Sequence, residues 1–262
     1  MLKFIDSHAH YDDESFDKDR NELLHRIHNE NGVQKIINIG CNIERSELSV
    51  KLANEYSFVY ASVGIHPQDV DNTPADYLDR FAKLIKNEKV VAIGEIGLDY
   101  HYDEYSPEIQ IRFFEEQLDF AEENGLPVII HSRDATEDTM KILSKRGKIN
   151  GVMHCFSGSA ETAKQVLSLG MHISFTGVLT FKNARRAIEA LEVTPIQRLL
   201  LETDCPYMAP EPNRGKRCDS SMISDIIMKI AEIKGVTPEF IANQTILNTS
   251  NLFFKNTQRL ST

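Results

Sequence analysis

The chain has 262 residues, 41% of them hydrophobic and 26% charged, with a formal net charge of −10. That length suits one α/β barrel, which typically takes about 250 residues, better than two domains. No apolar run approaches the roughly 20 residues of a membrane span, and the acidic balance argues against a broad footprint on duplex nucleic acid. The start, MLKFIDSHAH, has no basic region followed by an apolar one, so no signal peptide is read there. Cys41, Cys155, Cys205 and Cys218 show no CxxC spacing. They are expected to be free thiols in a reducing cytoplasm.

In chain order, eight short β-rich runs alternate with amphipathic stretches: 3–7, 35–39, 58–63, 90–95, 127–131, 151–154, 172–175 and 198–202. Most are apolar without strict alternation, as strands covered on both faces are. They end near His10, Cys41, His66, Glu95, His131, His154, Thr176 and Asp204, between 22 and 36 residues apart. A βα unit takes about 30 residues. Eight in succession predict a closed (β/α)₈ TIM barrel, one domain over residues 1–262, rather than an open sheet.

Helix punctuation agrees with the alternation. Thr73-Pro74 reads as an N-cap before an N1 proline, followed by Leu78, Phe81, Leu84 and Ile85 at helical spacing. Ser106-Pro107-Glu108 opens a helix that stops at Gly125, and Ser159 opens one that stops near Gly170. Ile223, Ile226, Ile227, Ile230 and Ile233 mark the core face of a late helix, and Thr237-Pro238 begins the last.

Six polar side chains fall at or just past the predicted strand ends, where barrel enzymes place their active sites. His8 and His10 are two apart on an extended segment, so both rings point to one side. Glu95 follows in AIGEIGLDY, His131 in VIIHSRD, His154 in GVMHCFSG and Asp204 in LLLETDCP. A lone histidine at a strand end is more often a structural hydrogen-bonding group. Four histidines and two carboxylates on one rim are instead a donor set for divalent cations such as Zn²⁺ or Mn²⁺. Glu95 has two oxygens and can bridge two cations, and Asp204 can orient a water or take its proton. Cys155 and Cys205 adjoin proposed ligands, but alternation turns them away, so both read as small buried hydrophobes. His25, His28, His101 and His172 belong to no such constellation.

FIDSHAH, GIHP, GEIGLDY, PVIIHSRDA, HCFSGS, TGVLTFKNA and LLLETDCPY, in this order from Phe4 to Arg217, resemble the TatD-related deoxyribonucleases, a family of amidohydrolase-like metal-dependent hydrolases. The resemblance implies a TIM barrel, two divalent ions (Mg²⁺, Mn²⁺ or Zn²⁺) and hydrolysis of DNA phosphodiesters, on single strands or frayed ends. It places the metal ligands at His8, His10, Glu95, His131, His154 and Asp204, with Glu95 and Asp204 catalytic. It gives His66 of GIHP a contact with substrate, where a protonated ring would meet a phosphate. Glu202, two residues before Asp204, receives no role.

Arg133 is either a second phosphate contact or the surface partner of Asp134 or Glu137. Arg214, Lys216 and Arg217 form a compact basic cluster expected to guide an anionic substrate. Here the family pattern PxxRGKRNEP departs, because Cys218-Asp219-Ser220 stands in place of Asn-Glu-Pro. Tyr100, Tyr102 and Tyr105 lie after Glu95 and can stack bases, although loop packing suits at least two of them better. No membrane contact and no obligate protein partner are evident. Hydrolysis of an ester or amide, such as an aminoacyl ester on RNA, is the alternative reaction, and a barrel that binds without turnover is the third reading.

Overall fold

The computed structural model describes residues 1–102 and 106–254. Eight strands form one sheet in sequence order: β1 (Phe4–Ala9), β2 (Val33–Asn38), β3 (Val59–Val63), β4 (Val90–Asp99), β5 (Val128–Arg133), β6 (Gly151–Met153), β7 (His172–Phe175) and β8 (Leu199–Leu201). Each pairs in parallel with the next. The seam between the last strand and the first is joined by a bridge from Ala9 to Cys205. There the Asp204 N–H donates to the His8 carbonyl and the His10 N–H to the Cys205 carbonyl, both at 2.9 Å. This is the eight-stranded barrel that the eightfold alternation predicts.

Side-chain alternation sorts the apolar residues into two layers. Ile37, Ile39, Val91, Ile129, Val152 and Leu200 fill the barrel together with Leu252 and Phe253 from the last helix. Ile36, Val90, Ile130 and Leu199 belong instead to the larger core shared with the surrounding helices. Those helices are α1 (Arg20–Glu30), α2 (Ile43–Glu55), α3 (Tyr77–Leu84), α4 (Pro107–Glu123), α5 (Thr136–Arg146), α6 (Ala160–Ser168), α7 (Arg185–Val193), α8 (Ile223–Lys234) and α9 (Pro238–Phe253). Among the described residues, no helix is long and apolar enough to cross a membrane.

The caps read from sequence form at three helices: Ser106 accepts from Ile109 N–H, Ser159 from Thr162 N–H and Thr237 from Phe240 N–H. Thr73-Pro74 does not start a helix. The Thr73 hydroxyl donates to the Asp69 carbonyl at 2.9 Å, closing a short 3₁₀ turn, and α3 begins at Tyr77.

β4 also differs from expectation. It runs four residues past Glu95 and pairs Gly97 with His131 and Asp99 with Arg133, so β4 and β5 rise together above the rim. Gly97 of GEIGLDY falls beyond the predicted strand, yet it permits close strand packing. A Cβ on Gly97, whose φ is +145°, would lie 1.9 Å from the His131 carbonyl oxygen. Glu95 and His131 are therefore interior to long strands, held by pairing on both sides of them.

Candidate metal centre

His8 and His10 leave β1 on the same side, and their Nε2 atoms lie 3.1 Å apart. Behind them Asp6, fully buried, accepts from Thr203 N–H at 3.0 Å, Thr203 Oγ1 at 2.6 Å, Ser220 Oγ at 2.7 Å and His8 N–H at 3.2 Å. Burial pushes its carboxyl up to about 6 despite these four donors. Ser220 also accepts from or donates to the Tyr11 hydroxyl at 2.8 Å. The segment that departs from the family pattern thus reaches the underside of the first histidine.

Asp204 follows β8 with its Oδ1 3.3 Å from His10 Nε2 and 3.6 Å from His8 Nε2. Glu95, 3% exposed, divides its two oxygens. Oε2 is 3.4 Å from His8 Nε2, while Oε1 is 2.8 Å from His131 Nδ1 and 2.6 Å from His154 Nε2. His131 Nδ1 and His154 Nε2 are 3.2 Å apart. All six predicted ligands therefore meet at one mouth, in two groups that share Glu95.

The donor set fits divalent cations. Two nitrogens each about 2.0–2.1 Å from one tetrahedral Zn²⁺ lie roughly 3.3 Å apart, close to both nitrogen pairs here. A hydrogen bond within such a pair needs one facing nitrogen to carry a hydrogen and the other to be bare, whereas a shared cation is ligated by two bare nitrogens. Burial opposes charge on Glu95, but His154, His66 and His8 hold its carboxyl well below the usual range. Burial likewise opposes charge on Asp204, which its bond with His10 and the nearby His8 hold low. Burial and the neighbouring His154 push His8 down to about 4. His131 moves the other way: burial pushes it down, but bonds with Asp99 and Glu95 carry it up to about 9.

Outside the ligands stands a layer that sequence reasoning missed. Asp99 Oδ2 is 3.2 Å from His131 Nε2 and accepts from Gln68 Nε2 at 2.7 Å. Cys41 Sγ is 3.8 Å from His10 Nδ1, and Glu202 Oε1 is 3.7 Å from His154 Nδ1. Burial pushes Glu202 up to about 7. Two buried glutamines of α4, seven residues apart on its inner face, fix the flanking main chain. Gln110 makes two bonds of 2.8 Å to the Asp99 backbone, and Gln117 bonds the Ile65 N–H at 2.7 Å and its carbonyl at 3.2 Å. The one available signal for Asp99 was its place in GEIGLDY; amphipathic periodicity marks the glutamines only as core positions.

The ligands open into a cavity of about 800 Å³. His66 lines it, with Nδ1 accepting from Gln68 N–H at 3.2 Å and Nε2 3.7 Å from Glu95 Oε1. Burial pushes this imidazole down to about 3, so it offers a neutral N–H rather than the expected cation. Arg133 lines the same cavity, its guanidinium 5.4 Å from the centre of the Tyr102 ring. Asp134 is taken by His101 Nδ1 at 2.9 Å, which leaves Arg133 turned to the mouth. Tyr102 is on the rim, Tyr100 is spent on Asp138 at 3.0 Å, and Tyr105 lies outside the described residues.

The basic cluster is not brought into the cavity. Arg217 bonds Asp19 at 2.6 and 2.8 Å, Lys216 bonds Asn213 at 3.1 Å, and the Arg214 guanidinium sits 4.3 Å from the centre of the Phe181 ring. Cys205 is buried as expected, but Cys155 is half-buried and lines the cavity, because its backbone takes a positive φ of 42° just past β6. His25, His28, His101 and His172 lie away from it.

Residues 5–254 match the family model described as TatD related DNase. A metal-dependent hydrolase of Bacillus subtilis named YabD is 42% identical over 251 residues, spanning 95% of this chain and 98% of that protein. The 3'-5' ssDNA/RNA exonuclease TatD of Cronobacter sakazakii is 34% identical, spanning 92% and 94%. The crystal structure of YjjV, a TatD homologue from Escherichia coli, superposes with a TM-score of 0.89 at 32% identity, covering 95% of this chain and 97% of that one.

Proposed function

The chain belongs to the TatD-related DNase family of metal-dependent hydrolases, and from that premise we propose that it hydrolyses phosphodiester bonds of DNA at single-stranded or frayed ends with two divalent cations. One would be held by His8, His10, Asp204 and Glu95, the other by Glu95, His131 and His154. The observation that carries this reading is the division of Glu95, with one oxygen toward each histidine pair. Bound there, the cations supply Lewis acidity at a phosphoryl oxygen and neutralise developing charge.

The chain's own groups do the rest. Asp204, kept ionised by its histidine neighbours, takes the proton of the attacking water on the carboxylate oxygen other than Oδ1, which faces His8 and His10. His66 donates its Nε2 hydrogen to a phosphate oxygen, and Arg133 neutralises the phosphate from the rim. A cavity of about 800 Å³ above a barrel filled with apolar side chains suits a chain end better than an intact duplex. The exonuclease named among the relatives supports the same substrate class.

The test is metal-stripped protein, re-supplied with Mg²⁺, Mn²⁺ or Zn²⁺, on end-labelled single- and double-stranded DNA beside an ester panel that includes an aminoacyl-RNA mimic. Cation-dependent shortening of single strands is expected. Turnover of esters alone would replace this reading with the carbonyl chemistry.

A further inference from the structure

Glu202 is 1% exposed, lies just past β8, and accepts the Cys155 N–H. Two ring nitrogens, His8 Nδ1 and His154 Nδ1, are buried with no hydrogen-bond partner. The two rings stack in parallel, 7° apart with centroids at 4.0 Å, and both turn Nε2 to Glu95. The Glu202 carboxylate is 3.7 Å from His154 Nδ1, and ligand atoms of His8, His154 and Glu202 all fall within 4.8 Å of one another.

We propose that Glu202 is a positioning residue, the shared acceptor for the Nδ1 hydrogens of His8 and His154. It thereby holds both rings with a bare Nε2 toward Glu95. This rests on the two-cation reading above. A histidine that ligates through Nε2 must carry its remaining hydrogen on Nδ1, and that hydrogen needs an acceptor once buried. One buried carboxylate between two such donors meets the need. The remaining gap to His154 closes with a ring movement of under about 1 Å or through one bridging water.

The same trio also has the composition of a cation site, but the hydrogen count excludes it. With both Nε2 atoms ligating the cations proposed beside Glu95, a further cation at Nδ1 would require two imidazolates side by side. Two donors and one acceptor make a hydrogen-bond site.

Glu202→Gln separates this role from a merely structural one. The glutamine oxygen still accepts the Cys155 N–H, so the fold is kept. Its amide then donates to His154 Nδ1 and drives that ring to the Nε2–H form. Protein labelled with ¹⁵N-histidine and loaded with Zn²⁺ should show protons on Nδ1 of both His8 and His154. In Glu202→Gln the His154 signal should move to Nε2, with Zn²⁺ affinity by chelator competition lower by about 10- to 100-fold. Unchanged affinity and tautomer in that variant would overturn the assignment. So would a wild-type protein with either ring protonated at Nε2, whether or not the variant folds. Failure of the wild type to cut DNA while these signals hold would remove the nuclease reading and leave this one standing.

Discussion

His8 and His10 are held from behind by main chain that crosses the barrel seam, whereas His131 is held by side chains reaching in from the second layer. On the seam side the Asp204 and His10 amides bond across to the opposite strand ends, and Asp6 ties β1 to Thr203 and Ser220. On the other side Asp99 backs His131, and Gln110 fixes Asp99. The same bonds close the barrel and seat the histidines on the first side, so cation binding and stability are one property there. On the second side they are separable, because the strands are already paired without Asp99's carboxylate.

The largest effect tests what both sides share. Glu95→Ala removes an oxygen from each group and should lower kcat by roughly 10³-fold or more, with the fold retained by circular dichroism. A residual rate within tenfold of wild type would mean that the two groups do not act together. Next, Asp99→Asn should weaken Zn²⁺ binding by about 10- to 100-fold with little change in melting temperature. Thr203→Val, on the seam, should instead cost about 1–3 kcal/mol of unfolding free energy by stripping a donor from buried Asp6. If denaturant titrations showed equal losses of stability in these two variants, the contrast between the sides would fail.

A subtler effect concerns protons. His131, carried up to about 9, is protonated near pH 7.5 before a cation binds, and ligation requires its neutral form. Cation uptake should therefore release at least one proton at pH 7.5, and apparent affinity should rise with pH until about 9. Calorimetry in buffers of differing ionisation enthalpy measures this, and no release at pH 7.5 would contradict the Asp99–His131 pairing. The smallest effect is expected at Arg217→Ala. Its half-exposed pair with Asp19 is worth at most about 1 kcal/mol, and activity should stay within twofold.

Most of the architecture could be read from residue order, because buried parallel strands and capped helices leave strong local marks. Ser106, Ser159 and Thr237 each cap where their neighbours imply. The convergence of the six candidate ligands was legible because imidazoles and carboxylates recur at strand ends, where nothing structural asks for them. Thr73 was misread because its hydroxyl had a nearer acceptor in the Asp69 carbonyl. The contacts of Asp99, Glu202 and the two α4 glutamines could not be read because the partners named above are 11 to 52 residues away. The basic run at Arg214–Arg217 looked like a substrate guide in one dimension. Its true neighbours are Asp19, Asn213 and Phe181.

The seam bridge from Ala9 to Cys205 also sets a schedule for synthesis. A growing chain carries His8 and His10 out of the ribosome nearly two hundred residues ahead of Asp204 and Cys205, their partners across the seam. Domains generally fold as units behind the exit tunnel, so the candidate metal centre stays incomplete until β8 and Asp204 have emerged. A truncated product ending before β8 would lack Asp204 and the seam that seats His8 and His10.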